Sequence, residues 1–254
     1  MGVSTLTALF YVITSTSVLT TLWYSLYVVL KRRYHLEGEY TTRIIAAFHG
    51  ALCVVLAAIC LANGPNPLYN PGEPNTTLQI ITMQISVGYF VYDFVWCIIY
   101  QPEPKIMLVH HLASIFAMSY IIIFGSSGAE AIGGLCSMEV TNPLLQARWF
   151  LRFYNKKDSF LFWTVEYLFF GLFLSVRLVY GSYLLHAVLM SGKTNVIVKL
   201  ITISLFLISL AFVQNIISIV VFRIRRKNKP SPAVASSALL RRDSSPYPRP
   251  SASL

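Results

Sequence analysis

Seven apolar runs, each near the length needed to cross a bilayer, leave this chain few folds to choose from. They are Leu6–Leu30, Ile44–Ala62, Leu78–Tyr100, Ile106–Phe124, Ala131–Leu151, Phe160–Leu184 and Val196–Phe222. A helix needs roughly 20 apolar residues to span about 30 Å of hydrocarbon. Composition agrees: 56% of the 254 residues are apolar and 12% charged, against about 45–50% and about 25% in a soluble domain. The expected fold is all-α, a polytopic membrane helical bundle of seven transmembrane helices. Disorder, collagen, coiled coil and a small disulfide scaffold are excluded.

Charge gives the bundle a direction. The first connection holds Lys31, Arg32, Arg33 and Arg43, and the fifth holds Arg152, Lys156 and Lys157. The second, rich in prolines (Pro65, Pro67, Pro71, Pro74), has no Lys or Arg. Basic residues collect on the cytosolic side of membranes. The pattern therefore predicts a lumenal or extracellular N-terminus and a cytosolic C-terminus. Asn75-Thr76-Thr77 is a possible glycosylation sequon on the opposite side, at Asn75. From Arg223 onward, eight Lys and Arg face Asp243 alone. Residues 226–254 read as a disordered basic cytosolic tail whose natural partner is anionic lipid. Nucleic acid is not expected, because no aromatic platform or folded basic motif accompanies the charge. The four cysteines (Cys53, Cys60, Cys97, Cys136) lie in apolar runs without disulfide or zinc spacing.

The residues that carry information are the polar ones placed where lipid should be. Ionisable groups inside a membrane are costly and usually face the bundle interior. On the third run Tyr89, Asp93 and Trp96 share a helix face. On the fourth, His110 and His111 point about 100° apart, so both cannot face one partner squarely. An imidazole near neutrality can act as a general base. A metal is not expected, since ligands on one helix favour i, i+4 spacing. The fifth run carries Glu139, Asn142 and Gln146 on one face around Pro143, then Arg148. This stripe either lines a cavity for a polar head group or holds helices together by hydrogen bonds. Arg177 needs a partner on another helix, with Glu139 or Asp93 the charge-balanced candidates. His49 is a possible further wall residue.

Four pieces occur in series: Arg43…His49-Gly50, Gly88-Tyr89-Phe90-Val91-Tyr92-Asp93, Val109-His110-His111-Leu112-Ala113-Ser114-Ile115, and Glu139-Val140-Thr141-Asn142-Pro143 followed by Arg148-Trp149-Phe150. Together they resemble the TLC-domain superfamily, which includes ceramide synthases and translocation-associated membrane proteins. The resemblance implies a TLC domain of six helices around a lipid-accessible cavity over residues 31–225, preceded by an N-terminal transmembrane helix over residues 1–30. It also implies the endoplasmic reticulum or another endomembrane. In ceramide synthases the histidine pair is followed by a helix bearing His-Asp and a second Asp. Here Met138-Glu139 and Asn142 stand at those places, which removes groups able to move protons.

The expected function is therefore lipid handling: a lipid held in an intramembrane cavity, in the service of membrane lipid homeostasis. The candidate cavity residues are His49, Tyr89, Asp93, Trp96, His110, His111, Glu139, Asn142, Gln146, Arg148 and Arg177. No cofactor is expected for that role. The alternative is an acyltransferase with acyl-CoA as co-substrate, His110 or His111 as base or nucleophile, and Asp93 as its orienter. A transporter is a further alternative, although no internal repeat supports it.

Overall fold

In the computed structural model, residues 5–100 and 105–227 are described. Contacts divide the chain into Met1–Val213 and Gln214–Leu254. The described part of the second unit is the last stretch of the final helix, and the tail beyond Lys227 lies outside the described residues. The helices are α1 (Thr5–Arg33), α2 (Gly38–Asn63), α3 (Thr77–Tyr100), α4 (Lys105–Phe124), α5 (Gly128–Glu139), α6 (Asn142–Phe153), α7 (Phe160–Leu174), a π-helical turn (Ser175–Tyr180), α8 (Gly181–Met190) and α9 (Val196–Lys227). Among the described residues there is no strand, only one isolated bridge between Pro74 and Ser126. The fold is a helical membrane bundle.

Six helical stretches are long and apolar enough to cross a membrane, with α7, the π-turn and α8 counting as one. The fifth run differs from a single span. It breaks into α5 and α6, of 12 residues each. Pro143 sits in the first turn of α6, where it has no amide hydrogen to give and its ring obstructs a continuous helix. Val140 and Thr141 nevertheless keep right-handed helical angles, so the pair still travels from one end of the bundle to the other.

The connections confirm this alternation. At one end Asn75 N donates to Gly125 O (2.9 Å), Ser127 N to Glu73 O (2.9 Å) and Ser191 Oγ to Pro71 O (2.9 Å), while Lys193 pairs with Glu73. That end gathers the second, fourth and sixth connections. At the other end the Tyr40 and Tyr154 hydroxyls meet at 2.7 Å and Trp149 Nε1 donates to Glu39 Oε1 at 3.0 Å. This joins the first connection to the fifth, and it is the end that holds Lys31, Arg152 and Lys156.

Local chemistry sets the helix starts. Thr76 and Gln79 form a reciprocal capping box, with Gln79 N donating to Thr76 Oγ1 (3.3 Å) and Thr76 N to Gln79 Oε1 (2.9 Å). Ser159 Oγ caps α7 by accepting from Phe162 N at 3.1 Å. Helix α1 lies against α3, and Gly88 makes that approach possible. Thr20 Oγ1 donates to Gly88 O (3.1 Å), Trp23 Nε1 donates to Ile85 O (3.2 Å), and a Cβ on Gly88 would fall 2.5 Å from the Leu19 Cβ.

Candidate functional site

Among the described residues, two groups of polar side chains and an apolar cavity stand out in the interior. The first group is centred on His49 of α2. Its ring stacks on Tyr89 at 3.7 Å between centroids, its Nδ1 lies 3.5 Å from Glu139 Oε2, and its Nε2 lies 3.1 Å from Cys53 Sγ. Glu139 accepts from Asn142 Nδ2 (2.9 Å), which also donates to Ala46 O (3.3 Å). Asn142 Oδ1 in turn accepts from Gln146 Nε2 at 2.8 Å. The stripe on the fifth run is thus real, but it bonds to itself and to α2 instead of lining the cavity. This is the interhelical alternative, since each such contact holds α2, α5 and α6 together by about 0.6 kcal/mol on average.

The second group is a carboxylate and an imidazole. His111 Nε2 lies 3.4 Å from Asp93 Oδ2. His110 is buried against Phe90 and Phe212, at ring distances of 6.1 and 5.7 Å. Its Nδ1 has no hydrogen-bond partner among the described residues. The two imidazoles therefore diverge as their helical spacing requires. Phe90 packs edge-on to His49 (5.6 Å) and His111 (5.6 Å) as well as His110, so one ring joins the two groups.

The cavity lies on the far side of Phe90. It is walled by α4 (Ser114, Ala117, Met118), α5 (Glu130, Leu135, Met138), the π-turn with α8 (Arg177, Leu184) and α9 (Val198, Leu205, Ser209). It offers about 100 Å³ to the centres of water-sized molecules, where one buried water needs roughly 10–15 Å³ by that measure. The wall is mostly apolar. Gly134 opens into it, with no heavy atom within 4 Å of where a side chain would begin.

Trp96 and Arg148 lie outside the cavity wall, and Arg177 stands in it but with other partners than expected. Trp96 packs beside Tyr100, 5.6 Å between rings, at the basic end. Arg148 pairs with Glu166 of α7 at 2.8 Å and lies over the Phe169 ring. Arg177 bonds neither Glu139 nor Asp93. The π-turn aims it at the Met138 carbonyl (3.3 Å) and the Ser209 hydroxyl (3.5 Å). The Asn75 side-chain nitrogen, the atom that would carry a glycan, donates to Ile121 O at 2.8 Å. Sequence reasoning missed Phe90, Cys53 and Glu130. The first two are apolar residues in apolar runs and give no signal. Glu130 is an acid at the edge of the fifth run and did give one.

The profile of the TLC domain matches residues 39–224, from the start of α2 into α9. The chain belongs to the TLC-domain family. It is 26% identical over 144 residues to a TLC domain-containing protein of Arabidopsis thaliana, covering 56% of each chain. It is 21% identical over 165 residues to TLC domain-containing protein 4 A of Dictyostelium discoideum, covering 64% of each. It is 25% identical over 119 residues to TLC domain-containing protein 4-B of Xenopus laevis, covering 44% of this chain and 43% of the relative. Each match spans less than two thirds of the relative's length. Family and fold together make this a multi-pass membrane protein of a lipid-related family, with α1 standing outside the matched region.

Proposed function

We propose that this protein binds a membrane lipid by its hydrocarbon chain in the cavity between α4, α5, the π-turn and α9, and that it serves membrane lipid homeostasis in an endomembrane. The observation that carries this reading is the cavity, an apolar space within the bundle with Arg177 and Glu130 in its wall. Apolar voids inside close-packed proteins are uncommon, and their lining loses contacts unless something fills them. We place the basic end in the cytosol, where Arg152, Lys156 and Lys157 would meet anionic head groups. An epitope at the C-terminus reached only from the lumen would refute that orientation.

The test is lipid extraction and mass spectrometry of purified protein. Gly134→Phe puts a ring into the cavity, and Gly171→Phe puts one at an exposed position of α7 with equally open space. One lipid species enriched in the wild type and in Gly171→Phe, and lost in Gly134→Phe, is the expected result. The same bulk lipid in all three would refute it.

The Asp93–His111 pair favours a second reading, an acyltransferase. Asp93 would orient the imidazole, and His111 would take the proton from an acceptor attacking the thioester carbonyl of acyl-CoA and return it to the sulfur as the C–S bond breaks and coenzyme A leaves as its thiol. Transfer from labelled acyl-CoA to a mixed acceptor pool, abolished by His111→Gln, would support it. No transfer to any acceptor class would remove it.

A further inference from the structure

Among the described residues, the buried Arg177 has no carboxylate within ion-pair distance. Arg177 sits near the middle of the pass Phe160–Met190, is 7% exposed, and lines the cavity. Its bonds to Met138 O and Ser209 Oγ are long and go to neutral acceptors. Its Nε is buried with no hydrogen-bond partner among the described residues. The Phe173 ring, 5.0 Å from Cζ, covers another flank. Glu139 is the carboxylate whose field reaches it, but Glu139 is held by Asn142 and His49. Glu130 shares the cavity wall but accepts from Gly72 N at 2.9 Å. It lies eight residues before Met138 on α5, about 12 Å along the axis.

The contrast with Arg148, also buried, is direct: it has Glu166 at 2.8 Å. A guanidinium cannot discharge itself by losing its proton, and an unpaired ion in a low-dielectric interior is strongly disfavoured. The residue also stands on a π-helical turn, a distortion that recurs at functional sites.

We infer that the occupant of this cavity is a single-chain lipid with a carboxylate head, a long-chain fatty acid. This inference rests on the reading of the cavity as a lipid site, and it names the lipid class. The carboxylate accepts from the Arg177 fork, a planar donor pair that matches two oxygens, and Ser209 supplies a further hydroxyl. The chain lies along Met118, Leu135 and Leu205. Among the described residues the wall holds no second cation. A phosphate monoester, with about 1.5 to 2 negative charges, would stay under-neutralised, and a neutral head group would leave Arg177 unbalanced. Glu130 in the same wall repels the carboxylate, which fixes the head at the Arg177 end.

The test uses purified full-length protein in phosphatidylcholine nanodiscs and a photoactivatable oleate that keeps its carboxylate. Competitors are oleate, oleyl alcohol with the same chain, and oleoyl lysophosphatidate. Oleate is expected to compete about tenfold better than oleyl alcohol, the factor that about 1.4 kcal/mol of charge-assisted bonding supplies. Arg177→Met should erase that preference, and Arg177→Lys should keep part of it. The wild-type comparison is decisive by itself if Arg177→Met fails to fold. Equal competition by oleyl alcohol, or stronger competition by lysophosphatidate, overturns the carboxylate assignment while the lipid cavity stands. Labelling that does not saturate, or that Gly134→Phe leaves unchanged, overturns the cavity reading and this inference with it.

Discussion

Adding one methyl group at Gly88 should loosen α1 from α3. A Cβ there falls 2.5 Å from Leu19 Cβ and 3.1 Å from both Leu19 C and Thr20 N. Two carbons rest at about 3.5–4.0 Å, so α1 must retreat by about 1 Å. That movement stretches the bonds from Thr20 to Gly88 O (3.1 Å) and from Trp23 to Ile85 O (3.2 Å) out of range. Overpacking costs about 1–3 kcal/mol, and the two interhelical bonds add about 0.6 kcal/mol each. Replacing a helical glycine by alanine returns up to about 1 kcal/mol. The net expectation for Gly88→Ala is a loss of about 1–3 kcal/mol, the sum of those contributions. Thermal unfolding in detergent, followed by tryptophan fluorescence, measures it, with Trp23 inside the disturbed contact. Gly134→Ala is the control: nothing lies within 4 Å of its new methyl, so it should melt at or above the wild-type temperature. Equal melting of the two variants would refute the reasoning.

Three further outcomes follow from the same geometry. Glu166→Leu leaves Arg148 and Arg152 without the carboxylate they share at 2.8 and 3.3 Å. It should destabilise the protein by about 3–5 kcal/mol in denaturation, and Arg148→Met in the same chain should recover part of the loss. Maleimide labelling of the folded protein should modify the partly exposed Cys136 before the buried Cys53 and Cys60, and the reverse order would contradict the packing of α2. Phe90→Ala removes the ring between the cavity and the histidine pair. It should lower stability by about 3–5 kcal/mol and shift the co-purifying lipid toward bulkier species by mass spectrometry, and an unchanged lipid profile would count against the shared wall.

The sequence announced the fold through the length of its apolar runs, and the alternation of basic connections matched the two ends that the Tyr40–Tyr154 and Ser127–Glu73 contacts define. Pro143 signalled a disturbance in the fifth run, and the structure turns it into two helices. The polar residues were visible one by one, because polarity in a membrane segment stands out. Their partners were not. Periodicity says which face a side chain occupies on its own helix and nothing about which helix meets it. Asn142 and Gln146 therefore turned out to bond along their own stripe, and Arg148 found Glu166. Arg177 was singled out for its charge, but the π-turn that aims it into the cavity leaves no mark in hydropathy. The cavity itself is an absence of atoms among apolar residues, and composition cannot register it.

The most direct test is an experimental structure of the protein in lipid nanodiscs, read for density between α4, α5, the π-turn and α9. An elongated, unbranched density along Met118, Leu135 and Leu205 is the predicted result. A cavity closed by those same side chains, with lipid only on the outer surface of the bundle, would contradict the account.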